Sequence, residues 1–140
     1  MTPAPSSEVY IDGASRGNPG PAGVGAVFVD ERAQPVRQFS KGIGVSTNNV
    51  AEYLALLYAL QEAVRAGYRS LTVKSDSELL VRQLNGRYRV RDPHLRLLHD
   101  LALHLTQGFV SCRVEHIPRA QNALADRLAS QAAKHQRGVL

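Results

Sequence analysis

The sequence contains a single cysteine, Cys112, and no long apolar run. One cysteine rules out an internal disulfide and any metal site built from several thiolates. Without about 20 consecutive apolar residues, no segment resembles a membrane span. The first residues, MTPAPSSE, also lack the basic and apolar regions of a secretory signal. We therefore expect a cytoplasmic protein with no membrane partner.

The chain does contain enough hydrophobic side chains for a folded core. Of its 140 residues, 44% are hydrophobic, which predicts one globular domain, expected to be a monomer. The formal net charge is +5, and five arginines fall within fifteen residues: Arg82, Arg87, Arg89, Arg91 and Arg96. This excess suits a polyanionic partner such as nucleic acid. A solvated basic surface is the plainer alternative.

Turn residues and apolar periodicity divide the chain into short elements. Residues 1–7 are predicted to form a flexible tail and residues 8–140 a single domain. Strands are predicted near 8–12, 22–30, 36–44, 71–75 and 111–117, and helices near 49–66, 77–85, after Pro93 and after Pro118. The order βββαβααβα predicts an α/β fold with a mixed five-stranded sheet flanked by helices. Three strands form an antiparallel meander, and two parallel strands follow.

Four isolated acids occupy junctions between these elements. Asp12 ends the first predicted strand, and Asp76 follows the fourth in VKSDSELL. Glu52 lies in the first turn of the first helix, and Asp126 lies early in the last helix, in NALADRLA. Functional groups in open α/β sheets collect where strands end and helices begin. The positions therefore suggest a shared site.

Each acid also has an ordinary structural explanation. Glu52 could complete a capping box with Asn49, and Asp76 could cap the helix that follows it. Asp126 could favour a helix start through the helix dipole, and Asp12 could begin a turn. Spacing alone does not show that the four side chains converge.

Convergence of the four acids would restrict the chemistry of the site. Clustered carboxylates repel one another and raise one another's pKa values. Hard divalent cations relieve this repulsion, and ligands that are all oxygen favour Mg²⁺ or Mn²⁺ over zinc. Two such ions form a clamp for in-line displacement at phosphorus.

The run GNPGPAGVG raises the alternative of a nucleotide-binding loop. However, Gly23 and Gly25 are followed by Ala26, Val27 and Phe28, with no third glycine before a helix. The run is therefore interpreted as a turn entering a strand.

Four segments in this order resemble the type 1 ribonuclease H family. They are YIDGASRGNPG, STNNVAEYLALLYAL, SDSELLVRQLNG and HIPRAQNALADRLA, and the resemblance covers about residues 8–135. It implies the ribonuclease H-like form of the fold above. It also implies a metal-dependent endonuclease that cuts the RNA strand of RNA–DNA hybrids and leaves 5′-phosphate and 3′-hydroxyl ends.

The resemblance implies that Asp12, Glu52, Asp76 and Asp126 hold two Mg²⁺ ions, with Mn²⁺ as a substitute. Asp12 and Asp76 would bridge or flank the ions. Glu52 would hold the ion on the leaving-group side, near the 2′-hydroxyl of the RNA. Asp126 would complete the other metal site and help to position the attacking water.

The resemblance also implies contacts with the hybrid. Gly17 and Asn18 match the family turn that touches the RNA strand in the minor groove, where 2′-hydroxyls distinguish RNA from DNA. Thr47 and Asn48 match the segment that contacts the DNA strand, although helix capping equally explains Asn48 and Asn49.

The family carries a mobile positive or protonatable group before its last acid. His116 lies ten residues before Asp126 and Arg119 lies seven before it. His116 is in register with the histidine of many family members, whereas HIPRAQN is more similar to a shorter branch with an arginine. Arg119 is therefore preferred, and His116 is kept as the second candidate.

Many family members grip the hybrid with a basic handle, an extra helix and loop after the second helix. Here Gly86–Pro93 is only GRYRVRDP, which is too short for that handle. Arg87, Arg89 and Arg91 are expected to replace it in part. A non-catalytic module that binds hybrid or duplex is the alternative function, and the intact set of four acids argues against it.

Overall fold

The computed structural model describes residues 6–135, which alternate between strands and helices in the predicted order. The elements are β1 (Ser6–Ser15), β2 (Gly20–Val29), β3 (Pro35–Ser46), α1 (Asn48–Ala66), β4 (Ser70–Ser75), α2 (Glu78–Leu84), α3 (Pro93–Thr106), β5 (Ser111–His116) and α4 (Ala123–His135). The last helix starts later than predicted, because a 3-10 turn at Arg119–Gln121 separates it from Pro118. None of the helices described between Ser6 and His135 combines the length and apolar character of a membrane span.

The five strands form one mixed sheet in the order β3-β2-β1-β4-β5. The pairs β1–β2 and β2–β3 are antiparallel, and the pairs β1–β4 and β4–β5 are parallel. The predicted arrangement of three antiparallel strands followed by two parallel strands is confirmed. Helical crossovers account for the parallel pairs, because a strand that follows a helix re-enters the sheet in the same direction.

The first strand begins at Ser6, so the predicted tail of residues 1–7 is too long. Ser6 and Ser7 pair with Ser70 and Leu71 of β4, and the Ser7 hydroxyl donates a hydrogen bond to the Val29 carbonyl. Pairing with β4 on one side and this side-chain hydrogen bond on the other extend the strand despite the weak strand preference of serine. Residues 1–5 of the predicted tail, and residues 136–140 of the predicted domain, lie outside the described residues.

Helix α1 packs on the sheet through small side chains that repeat every four residues. Its buried alanines are Ala51, Ala55, Ala59 and Ala63. The hydroxyl of Thr47 caps its start by accepting from the Val50 N–H, and Gly67 ends it with φ +84°. The helix therefore lies close to β1 and carries Glu52 to one end of that strand.

Helix α4 contacts β2 directly over the glycines of GNPGPAGVG. A Cβ atom at Gly23 or Gly25 would lie within 2.5–2.8 Å of α4 atoms. The facing positions of α4 are Ala125, Ala129 and Ala133, all buried. Gly23 and Gly25 therefore allow α4 to pack closely on β2. This close packing places Asp126 of α4 near the sheet.

Candidate active site

The site forms where β1 and β4 part from each other. Their parallel pairing ends at Ile11 and Ser75, so Asp12 and Asp76 are the next residues on adjacent strands. The prediction that Asp12 ends its strand is wrong, because β1 stays paired with β2 as far as Ser15. Asp12 instead lies at the point where β1 is no longer paired with β4 but is still paired with β2.

Glu52 reaches this point because Gly13 has no side chain. A Cβ atom at Gly13 would lie 2.3 Å from the backbone carbonyl of Ala51, so only glycine permits this approach of β1 to α1. The Gly13 N–H donates to Glu52 Oε1 at 2.5 Å. Glu52 lies in the second turn of α1 and Thr47 caps the helix, so the capping-box explanation of Glu52 is wrong.

Carboxylate oxygens of Asp12, Glu52 and Asp76 all lie within 4.8 Å of one another. Asp126, in the first turn of α4, lies close enough to Asp12 for its side chain to contribute to the raised pKa of Asp12. The capping explanation of Asp76 is also wrong, because the Ser77 hydroxyl caps α2 by accepting from the Leu80 N–H. The four predicted acids therefore meet in one place.

Burial makes it unfavourable for all the carboxylates of this cluster to be ionised when no cation is bound. Asp12 is 6% exposed and Glu52 is 9% exposed. Burial raises the pKa of Asp12, and the neighbouring charge of Glu52 raises it further. Burial also raises the pKa of Glu52, although the Gly13 N–H and the Ser77 hydroxyl partly oppose that shift by donating hydrogen bonds. A bound divalent cation would stabilise the ionised carboxylates.

The predicted substrate-contact residues lie together beside the cluster. The Asn48 N–H donates to Asn18 Oδ1 at 3.1 Å, and Asn48 Oδ1 accepts from the Ser15 N–H at 3.0 Å. Gly17 has φ +90°, which allows the turn between β1 and β2 to lie against the start of α1. Thr47 is the helix cap, so capping does not explain Asn48. All four predicted residues are exposed.

The two candidates for a positive group lie on the segment that leads into α4. His116 is the last residue of β5, and Arg119 begins the 3-10 turn. Both side chains are exposed. Both residues precede Asp126 in the chain, and the choice between them stays a prediction.

Three residues of the site carry roles that the sequence analysis missed. The sequence patterns assign no role in the site to Gly13 or to Ser77. Asn122 was also passed over, although it is 1% exposed and its Nδ2 donates to Asp76 Oδ2 at 3.2 Å. The signals that could have found them are a glycine after the first acid and polar residues directly before two helices.

Comparisons with known proteins agree with this geometry. Residues 10–132 match the family model described as reverse transcriptase-like. A ribonuclease HI from Halobacterium salinarum is 45% identical over 123 residues, covering 88% of this chain and 62% of the relative. The bifunctional protein Rv2228c of Mycobacterium tuberculosis is 44% identical over 125 residues, covering 89% of this chain and 34% of the relative. The chain therefore spans less than two thirds of the length of the first relative and about one third of the length of the second.

Solved structures give the same result. The crystal structure of RNase H1 from Halobacterium salinarum has a TM-score of 0.91 and 42% identity, covering 94% of this chain and 99% of that one. LC11-RNase H1, solved in complex with an RNA/DNA hybrid, has a TM-score of 0.87 and 41% identity, covering 91% of this chain and 96% of that one. The matched fold, the carboxylate cluster and these identities show that the chain belongs to the type 1 ribonuclease H family.

Proposed function

We propose that this chain is a metal-dependent endonuclease that hydrolyses the RNA strand of RNA–DNA hybrids. The observation that supports this most strongly is that carboxylate oxygens of Asp12 in β1, Asp76 directly after β4 and Glu52 in α1 lie within 4.8 Å of one another. Buried carboxylates with raised pKa values favour divalent cations, and phosphoryl transfer is the chemistry that such a cluster suits. The likeness to LC11-RNase H1 with its bound hybrid supports this substrate.

The four acids fit a pair of hard cations, which we propose to be Mg²⁺, with Mn²⁺ as a substitute. Asp12 and Asp76 would bridge or flank the ions, Glu52 would help to hold one and Asp126 the other. When bound, the ions supply an activated water and charge stabilisation at the leaving oxygen. The Gly13 N–H and the Ser77 hydroxyl keep Glu52 oriented toward the other carboxylates.

The turn beside the cluster is proposed to recognise the hybrid. Gly17 and Asn18 would face the RNA strand, and Thr47 and Asn48 would face the DNA strand. The hydrogen bond from the Asn48 N–H to Asn18 Oδ1 couples the two pairs, so the contacts to both strands share one rigid support. Backbone contacts of this kind set register without reading base sequence. Arg119, or else His116, would bring a positive or protonatable group to the exposed side.

A cleavage assay on matched duplexes tests the proposed function. We expect Mg²⁺-dependent cutting of the RNA strand in an RNA–DNA hybrid, with 5′-phosphate and 3′-hydroxyl products. EDTA should abolish the cutting, and a DNA duplex of the same sequence should stay intact. Tight hybrid binding with no turnover in either Mg²⁺ or Mn²⁺ would instead identify a non-catalytic binding module.

The arginine loop, residues 86–93, is proposed to bind the backbone of the hybrid in place of a longer handle. Val90 is buried and anchors the loop, and the Arg82 guanidinium donates to the Tyr88 hydroxyl at 3.0 Å. Arg87, Arg89 and Arg91 remain exposed around these anchors. The loop therefore presents three positive charges to solvent.

Replacing Arg87, Arg89 and Arg91 together with glutamine should raise KM several-fold and leave kcat unchanged. Each lost phosphate contact should also lower the slope of log affinity against log salt by about 1. The matched control is glutamine at Arg32, Arg65 and Arg69, which removes the same charge at the opposite end of the sheet. Equal KM changes in both triple variants would show that net charge alone causes the effect and that the arginine loop makes no specific contact with the hybrid.

A further inference from the structure

Asn122 lies directly before α4, in the position of its N-cap. Its backbone carbonyl accepts from the Asp126 N–H at 3.0 Å, the first hydrogen bond of the helix. Asparagine in this position ordinarily accepts, through Oδ1, a hydrogen bond from an N–H of the first turn. Here the side chain is 1% exposed, and within residues 6–135 its Oδ1 has no hydrogen-bond partner. The side chain is therefore not used as a cap.

The amide of Asn122 instead points toward the carboxylate cluster. Its Nδ2 donates to the Ile11 carbonyl at 2.8 Å and to Asp76 Oδ2 at 3.2 Å. Ile11 directly precedes Asp12, so one NH₂ group joins the backbone that carries Asp12 to the side chain of Asp76. Turning the amide over would set Oδ1 against a carbonyl and a carboxylate, which are both acceptors. The donor orientation is therefore the one that the surroundings select.

We propose that Asn122 is a positioning residue that fixes the carboxylate of Asp76 relative to Asp12 for divalent-cation binding. The expected changes in cleavage kinetics rest on the proposed function. The expected change in Mn²⁺ affinity does not. By donating to Oδ2 of Asp76, the amide restricts rotation of the carboxylate beside Asp12. Outer partners of this kind commonly change metal affinity or activity by about 10- to 100-fold when removed.

Two variants separate positioning from folding. Asn122→Ser keeps a short hydroxyl that caps a helix well but removes the NH₂ group, and Asn122→Ala removes both. Mn²⁺ binding is measured by titration calorimetry without nucleic acid, alongside the melting temperature of each variant. We expect both variants to lose about 10- to 100-fold in Mn²⁺ affinity, although Asn122→Ser melts closer to wild type than Asn122→Ala.

Gln83→Ala is the matched control. Gln83 is also buried, and its Oε1 accepts a hydrogen bond from the Tyr53 hydroxyl at 2.5 Å. This variant should lose stability but keep wild-type Mn²⁺ affinity. Wild-type Mn²⁺ affinity in Asn122→Ser, or affinity that follows melting temperature across all three variants, would overturn the proposal. A wild-type protein that binds Mn²⁺ without cutting hybrid would contradict the proposed function. The comparison of Mn²⁺ affinities among the variants would still test the role of Asn122.

If the wild type cleaves hybrid, kinetics give a second measurement. Asn122→Ser should lower kcat by about 10- to 100-fold at limiting Mg²⁺ and leave KM for the hybrid unchanged. Higher Mg²⁺ should restore part of the lost rate, because the defect lies in cation binding. A raised KM with unchanged kcat would contradict positioning and indicate a contact with nucleic acid.

Discussion

Asp12→Asn should abolish hybrid cleavage and at the same time stabilise the metal-free protein. The loss of activity should be on the order of 1,000-fold or more, because Asp12 lies at the centre of the carboxylate cluster. The gain in stability follows from burial, since Asp12 is 6% exposed beside Glu52 and Asp76. An amide of the same shape is neutral at every pH, so the folded variant neither buries a charge nor has to take up a proton at this position.

The stability effect has a defined pH dependence. The folded-state pKa of Asp12 is raised above its ordinary value of 3.8, so the folded protein retains a proton that the unfolded chain has lost. Wild-type stability in EDTA should therefore fall as pH rises above about 4, until the raised pKa is passed. The raised pKa of Glu52 acts in the same direction.

Melting temperatures at pH 5 and pH 9 measure this dependence. In EDTA, Asp12→Asn should exceed wild type by more at pH 9 than at pH 5, by on the order of 1–3 kcal/mol in unfolding free energy. Mg²⁺ should narrow the gap by stabilising wild type more than the variant. The control is Asp100→Asn, an exposed acid whose replacement should be nearly neutral at both pH values. A variant less stable than wild type at pH 9 would contradict the burial argument.

The parts of this site that the sequence predicts are those set by short-range patterns. Asp76 follows a short strand in which buried and partly exposed residues alternate, and Asp126 lies in the first turn of an amphipathic helix, so their positions follow from local periodicity. Parallel neighbours then bring such residues to one edge of the sheet. Local patterns fail for Asp12, because β1 has two partners that end at different residues. Gly13, Ala14 and Ser15 are weak strand formers by composition, but pairing with β2 keeps them extended.

The details that local patterns miss are decided by contacts between distant segments. Asn49 and Glu52 have the spacing of a capping box, but Thr47 caps the helix and Glu52 turns to the Gly13 N–H. Asn122 has the position of a cap but bonds to Ile11, 111 residues earlier. In each case a tertiary hydrogen bond replaces the local one that the pattern predicts.

Gly13→Ala should cause a large loss of stability together with loss of activity. The added methyl group would lie 2.3 Å from the Ala51 carbonyl carbon and oxygen and 2.5 Å from the Glu52 nitrogen. These are backbone atoms of a buried helix turn, so no side-chain rotation relieves the overlap, and β1 and α1 must separate. We expect a cost of about 3 kcal/mol in unfolding free energy, measured by urea denaturation.

The loss of activity in Gly13→Ala should exceed what instability alone causes. Separating β1 from α1 lengthens the hydrogen bond from the Gly13 N–H to Glu52 and moves Glu52 away from Asp12, so kcat should fall by about 100-fold. Leu60→Ala is the control, since it removes buried volume from the same helix at a cost of about 2–5 kcal/mol without approaching the carboxylates. At a temperature where both variants are folded, Leu60→Ala should retain its kcat. Because the two variants destabilise the same helix, a kcat lost equally in both would mean that the close approach at Gly13 serves only folding.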